Sequence, residues 1–159
     1  MSIDTKLQEL GLTLPDPLKV PAGVKLPFRF VRVQGNRAYI SGHGPQQPDG
    51  SLAGPFGKVG GEVSVEEGYE AARLTALSIL GSLKRELGSL DRVTAWLRVF
   101  GMVNSTPEFN RQPQVINGFS DLIIELYGSE RGAHARSAVG MVSLPFDMPV
   151  EIEAEVEIS

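Results

Sequence analysis

The sequence predicts a single α/β domain of the α+β type, with a mixed six-stranded sheet and two helices packed on one face of it. Three observations predict this fold class. Apolar residues recur at helical spacing over residues 65–87 and 114–127. Between these helices, residues 92–103 are apolar on both faces, which is typical of a buried strand reached by a helical crossover. The remaining strands form a hairpin before the first long helix and a pair after the second.

Residues 1–26 are predicted to precede a domain of residues 27–159, as a short helix followed by an extended arm. Ser2 is a suitable N-cap for a helix over residues 3–10. Residues 14–17 contain two prolines and are expected to end that helix, because proline cannot continue it.

The first strands are predicted over residues 28–33 and 37–42, with Gly35 in the turn of a β-hairpin. A loop rich in Gly and Pro follows over residues 43–62. It includes a short strand over residues 56–59, which makes the sixth strand of the sheet.

The two long helices have clear sequence limits. Ser64 and Glu67 have the spacing of a capping box at the start of the first helix, and Gly88 follows its last apolar residue. Gly128 is expected to end the second helix in the same way.

The C-terminal strand pair contains the candidate site. Side chains alternate between the faces of a strand, so Arg136 shares a face with Ala138 and Gly140, which leave a hollow beside its guanidinium. An arginine can bind a carboxylate through a fork of hydrogen bonds, and a nearby carboxylate can move protons or orient water. In the last strand, an apolar face alternates with a row of four carboxylates, Glu151, Glu153, Glu155 and Glu157.

These strands resemble the signature of the RidA/YjgF family, the reactive-intermediate enamine and imine deaminases. The resemblance covers residues 27–158. It is carried by residues 135–137, Val139, 144–145 and 150–154, and upstream by residues 35–36, 39–42, Pro45, the helix start from 66 to 76, and Asn117.

The resemblance implies a chorismate-mutase-like fold that assembles as a homotrimer, with its sites at the subunit boundaries. By the same resemblance, Arg136 holds the carboxylate of the substrate and Glu151 orients the attacking water. No cofactor is implied. The substrate pocket would be lined by Phe28, Gly42, Asn117 and Ala138.

The sequence departs from the family pattern at two positions. Phe28 stands where the family has a tyrosine near the pocket, so it can supply an apolar wall but no hydroxyl. His134 stands where the family usually has a small residue or a proline. If His134 shares the strand face of Arg136, it could titrate near neutral pH.

Composition excludes several other classes of function. The chain has 159 residues, no cysteine and a formal net charge of -4. Without cysteine there are no disulfides, thiolate metal ligands or cysteine nucleophiles. The two histidines lack carboxylates at ligand spacing, so no metal site is expected. The acidic charge disfavours nucleic acid as a partner, because that affinity comes mainly from clustered Lys and Arg.

No apolar run approaches the ~18 residues that suggest a membrane helix. The N-terminus also lacks the basic and apolar segments of a signal peptide. We therefore expect no membrane partner and a cytoplasmic location.

The sequence thus predicts an enzyme that hydrolyses small carboxylate-bearing enamines or imines to a keto acid and ammonia. Two alternatives remain open. One is a non-catalytic trimeric module that binds small carboxylic acids, which would need Arg136 but not Glu151. The other is an endoribonuclease or translation inhibitor, which the acidic charge disfavours.

Overall fold

The computed structural model describes residues 1–159 as three helices packed with a five-stranded mixed sheet. The helices are α1 (Ile3–Glu9), α2 (Val65–Leu87) and α3 (Gln112–Gly132). The strands are β1 (Val31–Gln34), β2 (Arg37–His43), β3 (Val93–Asn104), β4 (Ala135–Met141) and β5 (Val150–Ile158), in the spatial order β1-β2-β5-β3-β4. The pair β3 and β4 is parallel, and every other neighbouring pair is antiparallel.

The prediction of a mixed α/β sheet in one domain is confirmed, but the sixth strand is wrong. Residues 56–59 form no strand, and Val59 makes only isolated bridges to Val63 and Ser105. Gly57 and Gly60 both have positive φ. Backbone of that kind departs from the extended conformation that continuous strand pairing requires.

The helix limits follow the predicted caps at α2, and in α3 the predicted glycine interrupts the helix four residues before its last residue. Both hydrogen bonds of the capping box at Ser64 are present, and Gly88 is the C-cap with φ 82°. Gly128 also has positive φ, at 78°, and is not helical. The helix predicted over residues 114–127 therefore stops at Gly128, and one further helical turn extends α3 to Gly132.

One apolar core lies between the helices and one face of the sheet. In β5 the alternate residues Val150, Ile152, Ala154, Val156 and Ile158 are buried in this core, as strand alternation predicts. The carboxylates of β5 consequently lie on the other face, which no helix of the chain covers. We call it the open face of the sheet.

Helix α1 shares this core, because Ile3 and Leu7 are buried within it. Lys6 Nζ donates a hydrogen bond to Leu126 O at 2.8 Å, and Asp4 forms an ion pair with Lys84 of α2. None of the three helices has the length and apolar character needed to cross a membrane.

Helices α2 and α3 pack closely at Gly118. A Cβ built on this glycine would lie 2.0 Å from Tyr69 O. At Gly101 of β3, a Cβ would lie 2.7 Å from the side chain of Ile116. These two glycines therefore allow α3 to pack tightly against both α2 and the sheet.

We expect Tyr127→Phe to lower the free energy of unfolding by about 0.5–1.5 kcal/mol. The Tyr127 hydroxyl donates to Leu90 O at 2.9 Å within the core, and Leu90 O keeps its bond from the Val93 N–H in the variant. Urea denaturation followed by circular dichroism measures the change. Tyr39→Phe is the matched control, because Tyr39 is 42% exposed and Tyr127 only 4%. Equal losses in the two variants would contradict this role of the Tyr127 hydroxyl.

Candidate functional site

A pocket of about 660 Å³ opens at the end of the sheet where β2 ends and β5 begins. Its walls come from the end of β2, helix α2, the turn before β5 and the N-terminal arm, which we define as residues 11–26. Of the predicted site residues, Phe28, Gly42 and Glu151 meet in this pocket.

Glu151 supplies the carboxylate of the pocket. It is half-buried and makes no hydrogen bond within the chain. Burial raises the pKa of its carboxyl group, and the charge of Glu153 raises it further. A carboxylate with a raised pKa can exchange protons closer to neutral pH than an ordinary glutamate, which suits general acid–base chemistry.

Gly42 faces Glu151 across the pairing of β2 with β5. A Cβ built on Gly42 would lie 2.0 Å from Glu151 Oε2. Any larger residue at this position would displace the carboxylate. The register between β2 and β5 shifts between Ile40 and His43, and this irregularity lies at the contact.

Phe28 lies on the rim of the pocket, just before β1. Its ring meets that of Phe30 edge-on, with the two centroids 5.8 Å apart. Phe30 packs in turn against His43, at 5.4 Å between ring centroids. The phenylalanine that replaces the tyrosine of the family pattern is therefore part of an aromatic wall.

The pocket also contains a hydrogen-bonded series that sequence reasoning missed. His43 Nδ1 donates to Ser41 O at 2.6 Å, because a carbonyl oxygen can only accept. His43 Nε2 then accepts from the Ser82 hydroxyl at 2.8 Å, and Ser82 Oγ accepts from Arg85 Nη2 at 3.4 Å. Ser82 and Arg85 are three residues apart on α2, but helical spacing alone does not reveal that His43 faces them.

The ring of His43 is neutral at pH 7. Burial lowers the pKa of His43 to about 4; the hydrogen bond to Ser41 opposes this shift and the charge of Arg85 adds to it. Since both ring nitrogens are already bonded, His43 has no free nitrogen for acid–base chemistry. It holds Ser82 and, through it, Arg85.

The other predicted residues, Arg136, Asn117 and Ala138, lie elsewhere, between α3 and the edge strand β4. Arg136 Nη1 donates to Ser120 Oγ at 2.9 Å, and Nη2 donates to Pro113 O at 3.2 Å. Asn117 lies on the same face of α3 as these two acceptors, and its amide makes no hydrogen bond within the chain. The hollow expected beside Arg136 is thus occupied on one side by α3.

His134 is linked to Arg136 through Ser120. His134 Nδ1 donates to Gly132 O at 2.7 Å, so its Nε2 accepts from the Ser120 hydroxyl at 2.9 Å. Burial lowers the pKa of His134; the bond to Gly132 opposes the shift and the charge of Arg136 adds to it. This shift moves the pKa of His134 further below neutral pH, away from the titration near neutral pH that the sequence suggested. Strand β4 begins at Ala135, after this histidine.

The two groups of residues do not meet within one chain. Arg136 is in register with Val99 of β3, which is in register with Ala154 of β5. Arg136 and Glu151 are consequently about 10 Å apart across the strands and about 10 Å apart along them. Their side chains also point to different faces, because Arg136 bonds to α3 whereas Glu151 projects from the open face. A site that uses both residues requires a second chain.

The open face carries the predicted row of carboxylates without ion pairs. The ion pairs of the chain join Lys19 to Asp49 and Lys84 to Asp4, and neither involves β5. No three His, Asp or Glu side chains lie close enough together to hold a metal ion. A shallow depression of about 300 Å³ on this face is lined by charged and aromatic residues, among them Arg32, Tyr39, Arg98, Phe100, Glu153 and Glu155.

We expect Glu151→Gln to raise the melting temperature at neutral pH. Because the folded-state pKa of Glu151 is raised, the folded protein binds this proton more tightly than the unfolded chain does. Stability therefore falls as pH rises from the ordinary glutamate pKa of about 4.3 through the raised folded value. The variant escapes this loss, so its advantage at pH 7 should vanish below about pH 4.

Thermal denaturation of both proteins across this pH range measures the effect. Glu108→Gln is the control, since Glu108 is exposed and lies outside the pocket. Equal shifts in the two variants would assign the effect to net charge and contradict a specific cost of burying Glu151.

Comparison with known proteins gives the family. The sequence model of the protein family described as "YjgF/chorismate_mutase-like, putative endoribonuclease" matches residues 4–152 of this chain. Protein TCP17 of Trypanosoma cruzi is 37% identical over 159 residues, which is 99% of this chain and 94% of that protein.

Two solved structures are similar along almost the whole chain. Atu1372 of Agrobacterium tumefaciens is 42% identical with a TM-score of 0.87, and the match covers 99% of this chain and 92% of Atu1372. A Shewanella oneidensis protein described as a "putative endoribonuclease" is 26% identical with a TM-score of 0.89, covering 99% of this chain and 100% of that one. The resemblance seen in the sequence is confirmed, and the chain belongs to the YjgF/chorismate-mutase-like family.

Proposed function

We propose that the protein hydrolyses small enamines or imines that bear a carboxylate, releasing a keto acid and ammonia. One observation carries the proposal. Glu151 is a half-buried carboxylate with a raised pKa and no hydrogen bond within the chain, and it faces a pocket of about 660 Å³. Such a group is free to bind and deprotonate a water molecule.

The reaction consumes one water molecule and changes no oxidation state. An enamine first tautomerises to the imine. Glu151 accepts a proton from water as the water oxygen bonds to the imine carbon, and it returns this proton to the nitrogen to give a carbinolamine. Glu151 then accepts the hydroxyl proton and passes it to the amino group. The C–N bond breaks as the carbonyl forms, and the nitrogen leaves as neutral ammonia. Because imines react readily with water, the enzyme has mainly to orient the two reactants, and no cofactor is needed.

Arg136 would bind the carboxylate of the substrate. Its guanidinium is half-buried and is held by Ser120 and Pro113, which leaves further N–H groups to form a fork with a carboxylate. Since Arg136 and Glu151 lie on different faces of one sheet, we place the site between two subunits, with Arg136 from one and Glu151 from the next.

Two features support an assembly of several chains. Strand β4 is an edge strand, and none of its seven residues is fully buried. The open face of the sheet lacks a covering layer in the single chain. Edges and faces of this kind are commonly covered by a partner, and the family resemblance makes three copies the expected number.

Two other functions compete with this proposal. A binding module for small carboxylic acids would use Arg136 without catalysis. Endoribonuclease activity is named in the family description and for the Shewanella relative. The net charge of -4 and the carboxylates of the open face weigh against binding a polyanion.

We expect Arg136→Ala to lower kcat/KM for 2-iminopropionate hydrolysis at least about 30-fold, because losing one partner of a desolvated charged pair costs about 2–5 kcal/mol. Glu151→Gln should lower kcat while leaving the affinity for pyruvate nearly unchanged. The imine is generated in situ, and ammonia release above the uncatalysed rate is measured. Calorimetry measures pyruvate binding.

Arg37→Ala is the control, because Arg37 is exposed in the β1–β2 hairpin, away from the pocket. A binding module would lose affinity in Arg136→Ala and show no effect of Glu151→Gln. Degradation of RNA by the wild-type protein, with imine hydrolysis unchanged from the background rate, would favour the endoribonuclease. Full activity in both site variants would refute the proposed site.

We expect light scattering to give a mass of about three times the 17.2 kDa of one chain. An edge strand and a sheet face without a cover within the chain favour association. A monodisperse monomer at micromolar concentration would leave Arg136 and Glu151 on separate faces of one sheet, and the shared site would have to be abandoned.

A further inference from the structure

The pocket beside Glu151 is larger than the smallest substrate of this reaction requires. Its volume is about 660 Å³. The six non-hydrogen atoms of 2-iminopropionate would fill about 180 Å³ if each took the ~30 Å³ share of a liquid water molecule. Most of the pocket is therefore available for a side chain on the substrate.

The additional space is lined mainly by apolar side chains. Val24 and Leu26 of the N-terminal arm reach the pocket together with Phe28, and the turn before β5 adds Phe146 and Met148. Phe146 is 79% exposed, and Val24, Leu26 and Phe28 also belong to the exposed large apolar residues of the chain. Exposed apolar side chains gathered around one concave site are typical of a ligand pocket.

The N-terminal arm is held against the domain at its base. Arg85 Nη1 donates to Pro15 O at 3.1 Å, and the backbone N–H of Lys19 donates to Gly50 O at 3.1 Å. The wall that carries Val24 and Leu26 is thus attached on its N-terminal side by these bonds and continues into β1 on the other. It is built into the pocket as part of the fold.

We propose that this pocket selects imines and enamines whose reacting carbon carries a branched aliphatic or aromatic side chain. This inference rests on the proposed function and adds the class of substrate to it. The side chain occupies the part lined by the arm and Phe28, and the imine carbon lies beside Glu151. Phe28 suits this arrangement, since its ring offers apolar surface and no hydroxyl that a buried apolar group would leave unpaired.

The test compares the imines of leucine and alanine, each generated in situ by an amino-acid oxidase. We expect kcat/KM for the leucine-derived imine to exceed that for the alanine-derived imine at least about tenfold, because even one methylene group in an apolar pocket is worth about tenfold or more. Leu26→Ser should reduce this ratio by roughly tenfold by the same reasoning.

Leu10→Ser is the matched control. Leu10 is 39% exposed and Leu26 is 37% exposed, but only Leu26 lines the pocket. The control should keep the wild-type ratio of the two imines. A wild-type preference for the alanine-derived imine, or a ratio unchanged in Leu26→Ser, would overturn the inference while leaving the deaminase proposal standing.

Binding of the product keto acids gives a readout that does not depend on turnover. In calorimetry, 4-methyl-2-oxopentanoate should bind at least about tenfold more tightly than pyruvate to the wild-type protein, and Leu26→Ser should remove the difference. If this discrimination is present but no imine is hydrolysed faster than in water, the deaminase proposal fails and the apolar selectivity of the pocket stands. A change of oligomeric state in Leu26→Ser alone would assign the apolar surface to a subunit contact and overturn the inference.

Discussion

The structure depends most on the alternation of side chains along β5. This strand lies inside the sheet, between β2 and β3, and its apolar residues from Val150 to Ile158 bury one face beneath the helices. The same alternation places Glu151 and the other carboxylates on the open face. Because a shift of one residue would bury four carboxylates, the register of β5 is strongly determined. The carboxylate of Glu151 is thus positioned by the same burial of apolar side chains that forms the core.

Arg85 in the pocket and Arg136 beside α3 are held by the same kind of hydrogen-bonded series. Arg85 bonds to Ser82, which bonds to His43, and Arg136 bonds to Ser120, which bonds to His134. Each histidine donates its other ring nitrogen to the carbonyl two residues before it, so its tautomer is determined. Burial lowers the pKa of both rings, which keeps them as acceptors for the serine hydroxyls near neutral pH. Neutral histidines therefore orient the guanidinium groups without adding a second positive charge beside them.

Much of the fold could be predicted from residues with strong local preferences. The capping box at Ser64 and the glycine at 88 define α2 to the residue, and period-two alternation defines β5. Predictions failed where longer-range packing overrides local signals. Residues 56–59 do not form a strand, because only pairing partners decide whether an extended segment joins a sheet. Within the pocket, Gly42, Phe28 and Glu151 were predicted from the sequence, whereas Ser82, Arg85 and the N-terminal arm were not.

The sequence by itself determined the family, the alternating faces of the strands and the two candidate residues, Arg136 and Glu151, since these follow from local patterns along the chain. Only the tertiary structure decided that Arg136 and Glu151 lie two strands apart and on different faces, because strand order and register are set by contacts distant in sequence. It also decided that the N-terminal arm forms a wall of the pocket. A segment without periodicity carries no signal of where it packs, and hydrogen bonds to Arg85 and to Gly50 place it there.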